Sequence, residues 1–115
     1  MRTATRTTTD GPPGHRSFTE RHGLVRYARG LGASYPREGP CEVGICRAYG
    51  MEVEAGRLVF DHCHAHGWVR GLVCVPCNNR LMHVETGLGP PLPEWQLPAL
   101  AAHLMKCPEC REQSG

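Results

Sequence analysis

The sequence predicts a small α+β domain, two strands followed by a helix, stapled by zinc and flanked by short helices. Three observations carry this. Cys41 and Cys46 precede, and Cys74 and Cys77 follow, a stretch in which two apolar runs are separated by a turn at His66 and Gly67. Directly after the second pair, the segment from Asn78 to Glu85 has a helical pattern. The chain has 115 residues with Gly 14 and Pro 10, which limits regular structure and core, against Cys 7 and His 7. A domain that buries little apolar surface needs a cross-link, and metal supplies one.

Each element has its own signal. Ser17 and Glu20 have the spacing of a capping box, and Leu24, Tyr27, Ala28 and Leu31 fall at helical intervals, predicting a helix that ends at Gly30 to Gly32. From Arg57 to Asp61 the chain alternates, with Leu58 and Phe60 on one face, and Val69 to Val73 is a second apolar run, so the two form a hairpin. In the following helix Leu81, Met82 and Val84 face a core, and Gly87 is placed to stop it. Gly89 to Pro93 reads as a linker. A last helix starts at Pro98 and reaches about Lys106, burying Leu100, Leu104 and Trp95. The organisation is a disordered basic arm over 1–16, a main domain over 17–86, and a tail over 87–115 that carries the linker, a short helix and a terminal Cys pair.

Charge and cysteine usage narrow the class. The net charge is only +2, which excludes a protein that coats DNA by charge alone, although residues 1–40 hold seven Arg. Lys106 is the single lysine; the arginines suit bidentate phosphate contacts, though the same bias follows from a GC-rich genome. The opening residues lack the apolar run of a signal peptide and the Cys count is odd, so the expectation is a reduced cytosolic protein without a membrane span.

Cys41, Cys46, Cys74 and Cys77 bracket the hairpin, so one ion bound by all four closes the loop that contains it. Such thiolate sites contribute roughly 10 kcal/mol or more of apparent folding energy. A rival partition uses His103, Cys107 and Cys110, either as a second zinc site or as partners of one upstream pair. Cys63 reads as a small apolar residue rather than a ligand.

The chemistry lies in Asp61-His62-Cys63-His64, between the Cys pairs, and in Asn78, directly after the second pair. Asp61 and Asn78 offer the hard oxygens that Mg2+ or a similar ion prefers. Breaking a phosphodiester needs an activated water, neutralisation of charge on phosphate, and help for the departing oxygen. An ion on Asp61 and Asn78 would supply the last two, with His62 as general base. His64 or His66 would add a metal ligand or a phosphate contact, and Arg70 and Arg80 would hold the backbone phosphate. In a regular strand Asp61 and His62 point to opposite faces, so their joint action requires the strand to end or bulge there.

These residues resemble the recombination endonuclease VII family, a branch of the HNH or ββα-metal (His-Me finger) nucleases. The resemblance rests on Cys41/Cys46, Asp61-His62-Cys63-His64, Gly67, Arg70-Gly71-Leu72 and Cys74-x-x-Cys77-Asn78, with His22-Gly23-Leu24 similar to the family's lead-in; it covers about residues 20–86. It implies a zinc-stapled hairpin and helix, Asp61 and Asn78 on the catalytic ion, His62 as base, and DNA as partner. Here the first Cys pair is wider than in the family, and the family's glutamate soon after the asparagine is replaced by Arg80 and Leu81, with Glu85 as a distant substitute. The tail is also shorter than the one that dimerises in the phage member, and a chain that cannot form a homodimer would nick or cut DNA generally instead of resolving junctions.

The leading expectation is therefore a Mg2+- or similarly metal-dependent DNA endonuclease of a bacterial or phage-infected cell. Two others are a zinc module that binds nucleic acid through its Arg-rich N-terminal segment, and a structural zinc protein that docks through its terminal Cys pair. Only the nuclease has a chemical need for Asp61, His62 and Asn78 at these spacings.

Overall fold

The structure, a computed structural model, describes residues 16–114, so the expected basic arm lies almost wholly outside the described residues. Its elements in order are helix α1 (Phe18–His22), a 3-10 turn (Leu31–Ala33), strands β1 (Val59–His62) and β2 (Val69–Val73), helix α2 (Val75–Thr86), a 3-10 turn (Glu94–Gln96), and helices α3 (Leu97–Leu104) and α4 (Pro108–Ser114).

The capping box forms: Glu20 N donates to Ser17 Oγ at 3.2 Å, and Ser17 N donates to Glu20 Oε1 at 3.3 Å. The helix that follows is shorter than its periodicity predicts. Gly23, at φ 77°, takes a left-handed conformation that ends it after one turn. Instead of continuing as a helix, the chain runs alongside the hairpin: Arg26 forms a β-bridge with Trp68, and Val69 N donates to Val25 O at 2.8 Å. Leu24 and Tyr27 are consequently exposed.

β1 and β2 pair antiparallel, Val59 opposite Val73 and Asp61 opposite Gly71. The register then shifts, because His62 pairs with Val69 and leaves Arg70 as the extra residue. β2 is buried along its whole length. Gly71 is required there: a Cβ would collide with the Glu42 carboxylate and press on the His103 ring. α2 begins before Asn78, with Pro76 in its first turn, and Gly87 caps it by donating to His83 O at 2.8 Å.

Phe18, Leu58, Leu72, Leu81 and Leu100 are fully buried and belong to one core. At about 1.5–3 kcal/mol for each buried large apolar side chain, this core is a modest source of stability. Leu100 brings α3 into the core, and α3 packs on α2. Trp95, expected to be buried, is 66% exposed, because the 3-10 turn that carries it directs Gln96 inward instead. α4 has no apolar periodicity in the sequence; it starts directly after Cys107 and carries Cys110, the second member of the terminal Cys pair. No helix among the described residues is long and apolar enough to cross a membrane.

Candidate active site and metal centres

All seven cysteines are free thiols, and all seven fall into two clusters, one of which also takes a histidine. Cys41, Cys46, Cys74 and Cys77 bring their sulfurs within 4.8 Å of one another. Two come from the loop before the hairpin and two from the start of α2, so the cluster closes around the hairpin as the spacing predicts. The wide first pair is accommodated by a turn, with Cys41 N donating to Ala48 O at 3.3 Å and Tyr49 N to Cys46 O at 3.2 Å. The thiols disturb one another. A hydrogen bond with Cys77, acting against burial, draws Cys41 down to about 5, while burial and the adjacent Cys41 push Cys46 up to about 11. Four crowded sulfurs can all ionise only around a cation, and tetrahedral thiolate is a zinc site.

The second cluster differs from the expected His103, Cys107 and Cys110. It consists of Cys63, His66, Cys107 and Cys110. His103 is not part of it; its Nε2 lies 3.0 Å from Asp61 Oδ2, because α3 points this side chain into the core. Cys63, expected to be an inert apolar residue, is a member, since the turn after β1 folds back over α4. Both clusters have the composition and spacing to hold zinc.

Asp61, His62, His64 and Asn78, brought together from β1, its following turn and α2, line a cavity of about 60 Å³ with Phe60, Met82 and Glu85. The register shift between Asp61 and His62 supplies the irregularity their joint action requires. Asp61 points inward, 3% exposed. Desolvation would raise its carboxyl, but contacts with His103 and Arg70 outweigh this and hold it below the usual carboxylate range. Its oxygens accept from Arg70 Nε at 2.7 Å (Oδ2) and Arg70 Nη2 at 2.9 Å (Oδ1), and His103 Nε2 lies 3.0 Å from Oδ2, leaving a lone pair free on Oδ1.

His62 stacks face to face on Tyr27, with ring centroids 4.0 Å apart and planes 5° from parallel, and lies 4.7 Å from the His64 ring. Desolvation, reinforced by His64, lowers its pKa below the ordinary imidazole value, so the ring is neutral at pH 7. Tyr27 had no distinguishing signal in the sequence. Its position follows from the early end of α1 and from Tyr27 N donating to Gly67 O at 2.8 Å.

Glu85 is not remote. It lies two turns from Asn78, a separation that returns to the same helix face, and its Oε1 is 3.5 Å from His64 Nδ1 while Oε2 accepts from Arg70 Nη1 at 3.0 Å. The two arginines expected to hold phosphate are placed otherwise. Arg70 is 1% exposed, and its donors serve Asp61, Glu85 and the His62 carbonyl at 3.0 Å. As the extra residue of the register shift it is folded inward, where it aligns carboxylates and faces no solvent. Arg80 lies two residues from Asn78, about 200° around the helix, and donates to Cys77 Sγ at 3.3 Å beside the first cluster. His66 belongs to the second cluster and lines no part of the cavity.

Among the described residues, only the two cysteine clusters gather three or more Cys, His, Asp or Glu ligand atoms within 4.8 Å. The cavity is of another kind: oxygen and imidazole donors spaced around a small volume, suited to an ion that keeps several of its waters.

No curated protein and no solved structure is significantly similar to the chain. Residues 33–88 match the family model described as recombination endonuclease VII. That segment contains the first cluster, the hairpin, every residue lining the cavity and all of α2. Residues 33–88 are thus similar to the recombination endonuclease VII family.

Proposed function

We propose that this protein is a metal-dependent DNA endonuclease of the HNH, or ββα-metal, type, built on the β1–β2–α2 unit. The reading rests on one observation above the rest: Asp61, His62, His64, Asn78 and Glu85, from two elements and a turn, border a single cavity inside a segment that matches a nuclease family. The remaining lone pair of Asp61 and the Asn78 amide oxygen would hold the catalytic ion, Mg2+ or a similar hard cation. When bound, the ion neutralises phosphate charge and stabilises the departing 3′ oxygen.

The chain's own groups do the rest. His62, kept neutral by desolvation and held flat by Tyr27, takes a proton from the attacking water. Arg70 fixes the Asp61 carboxylate from within, so that its free lone pair keeps one direction. Glu85 orients His64, which lies at the cavity edge to contact phosphate or to complete the ion's shell. In-line attack leaves a 5′ phosphate and a 3′ hydroxyl.

The close engagement of Asp61 by Arg70 and His103 favours a second reading, a zinc-stabilised module that binds nucleic acid without cleaving it. Plasmid nicking in Mg2+ separates the two. The wild type is expected to nick, and His62→Ala and Asn78→Ala are expected to lose activity by at least about a hundredfold. Equal nicking by all three proteins, or none by the wild type, removes the nuclease reading.

A further inference from the structure

We infer that Cys63, His66, Cys107 and Cys110 form a second structural zinc site, which latches the C-terminal helices onto the turn that follows the catalytic strand. A tetrahedral Cys3His zinc site has arms of about 2.3 Å to sulfur and 2.0–2.1 Å to nitrogen, which places its ligand atoms about 3.5–3.8 Å apart. His66 Nδ1 lies 3.5 Å from Cys63 Sγ, 3.4 Å from Cys107 Sγ and 3.5 Å from Cys110 Sγ. Cys63 Sγ and Cys110 Sγ are 3.5 Å apart, far beyond a disulfide bond of about 2.05 Å. Four of the six edges thus already have the length that such a tetrahedron requires, and all six are within 4.8 Å.

The backbone and the surroundings suit the same ion. Cys63-x-x-His66 and Cys107-x-x-Cys110 are two short ligand pairs, each closed by a turn: Gly67 N donates to Cys63 O at 2.7 Å and Arg111 N to Cys107 O at 3.0 Å. Cys63 and Cys107 are buried. The second nitrogen of His66, Nε2, lies 3.4 Å from Gln113 Nε2 and 3.9 Å from Glu109 Oε1, while Glu109 Oε2 accepts from Trp68 Nε1 at 2.8 Å. α4 contributes no buried residue of its own, so without an ion little apolar contact would hold it in place.

The latch joins distant parts of the chain, since its ligands come from the turn after β1 and from the segment after α3. Between them α3 places His103 against Asp61. The zinc claim stands apart from the nuclease reading, and its test needs no cleavage assay.

The purified full chain is expected to contain two zinc ions, and 113Cd-substituted protein two resonances, one typical of four sulfurs and one of three sulfurs and a nitrogen. Cys107→Ser/Cys110→Ser is expected to keep one zinc and the four-sulfur resonance, and to be cut by trypsin after Lys106 faster than the wild type. One zinc and a lone four-sulfur resonance in the wild type would overturn the site. If the double variant does not fold, the wild-type metal count and spectrum decide alone. Two ions with unchanged proteolysis would keep the site and overturn the latch.

Discussion

Arg70 grips Asp61 through both carboxylate oxygens, Nε to Oδ2 at 2.7 Å and Nη2 to Oδ1 at 2.9 Å, in a pocket where neither side chain is more than 4% exposed. The pair forms across the register shift, which turns Arg70 into the interior beside the strand that carries Asp61. A buried guanidinium and carboxylate in bidentate contact are each costly to leave alone.

Arg70→Met is therefore expected to destabilise the domain by about 3–5 kcal/mol, because Asp61 would be left charged and without its main partner. Chemical denaturation of the zinc-loaded protein measures this. A change below about 1 kcal/mol would show that the pair contributes nothing to folding.

Cys74→Ser removes one ligand of the first cluster, and with it a share of the roughly 10 kcal/mol or more that structural zinc supplies to a small core. The far-UV circular dichroism of this variant is expected to be that of an unfolded chain, whereas His62→Ala keeps the native spectrum. Unfolding of both would make His62 structural. Retention of fold by both would mean that the first cluster is dispensable.

Gly71→Ala tests the closest approach in the hairpin. The added methyl meets the Glu42 carboxylate and the His103 ring, both buried, so the strand or α3 must move. Overpacking of this kind costs about 1–3 kcal/mol, visible as a lowered urea midpoint at unchanged slope. An unchanged midpoint would place Glu42 elsewhere in solution.

Glu85→Gln removes the charge facing His64 and one partner of Arg70 while preserving shape. As a positioning residue it is expected to lower nicking kcat about 10–100-fold with little change in KM, and to leave bound zinc unaltered. A rise in KM alone would assign Glu85 to DNA binding.

Much of this arrangement was legible beforehand, for local reasons. The hairpin follows from alternation, α2 from its periodicity and capping glycine, and the first cluster from cysteine spacing around the hairpin. Each departure from these expectations has its own cause. The periodicity of Leu24, Tyr27, Ala28 and Leu31 is real, yet Gly23 and pairing with the hairpin override it, because a helix of one turn has too little cohesion to resist. Arg70 looked like a phosphate contact because an arginine beside a reactive motif carries no mark of which way it faces. Glu85 seemed remote by counting residues, although two helical turns return to the same side.

By itself the sequence determined the ligand chemistry: soft sulfur in pairs, hard oxygen and imidazole between them, and too little apolar surface to fold without a cross-link. Only the tertiary structure decided which ligands share a cluster, that Cys63 and His66 join Cys107 and Cys110, and that His103 and Arg70 attend Asp61. The reason is physical. Residue type and local spacing set what an atom can bind and how its own segment turns, whereas a partner some forty residues away is chosen by packing, which depends on every element at once.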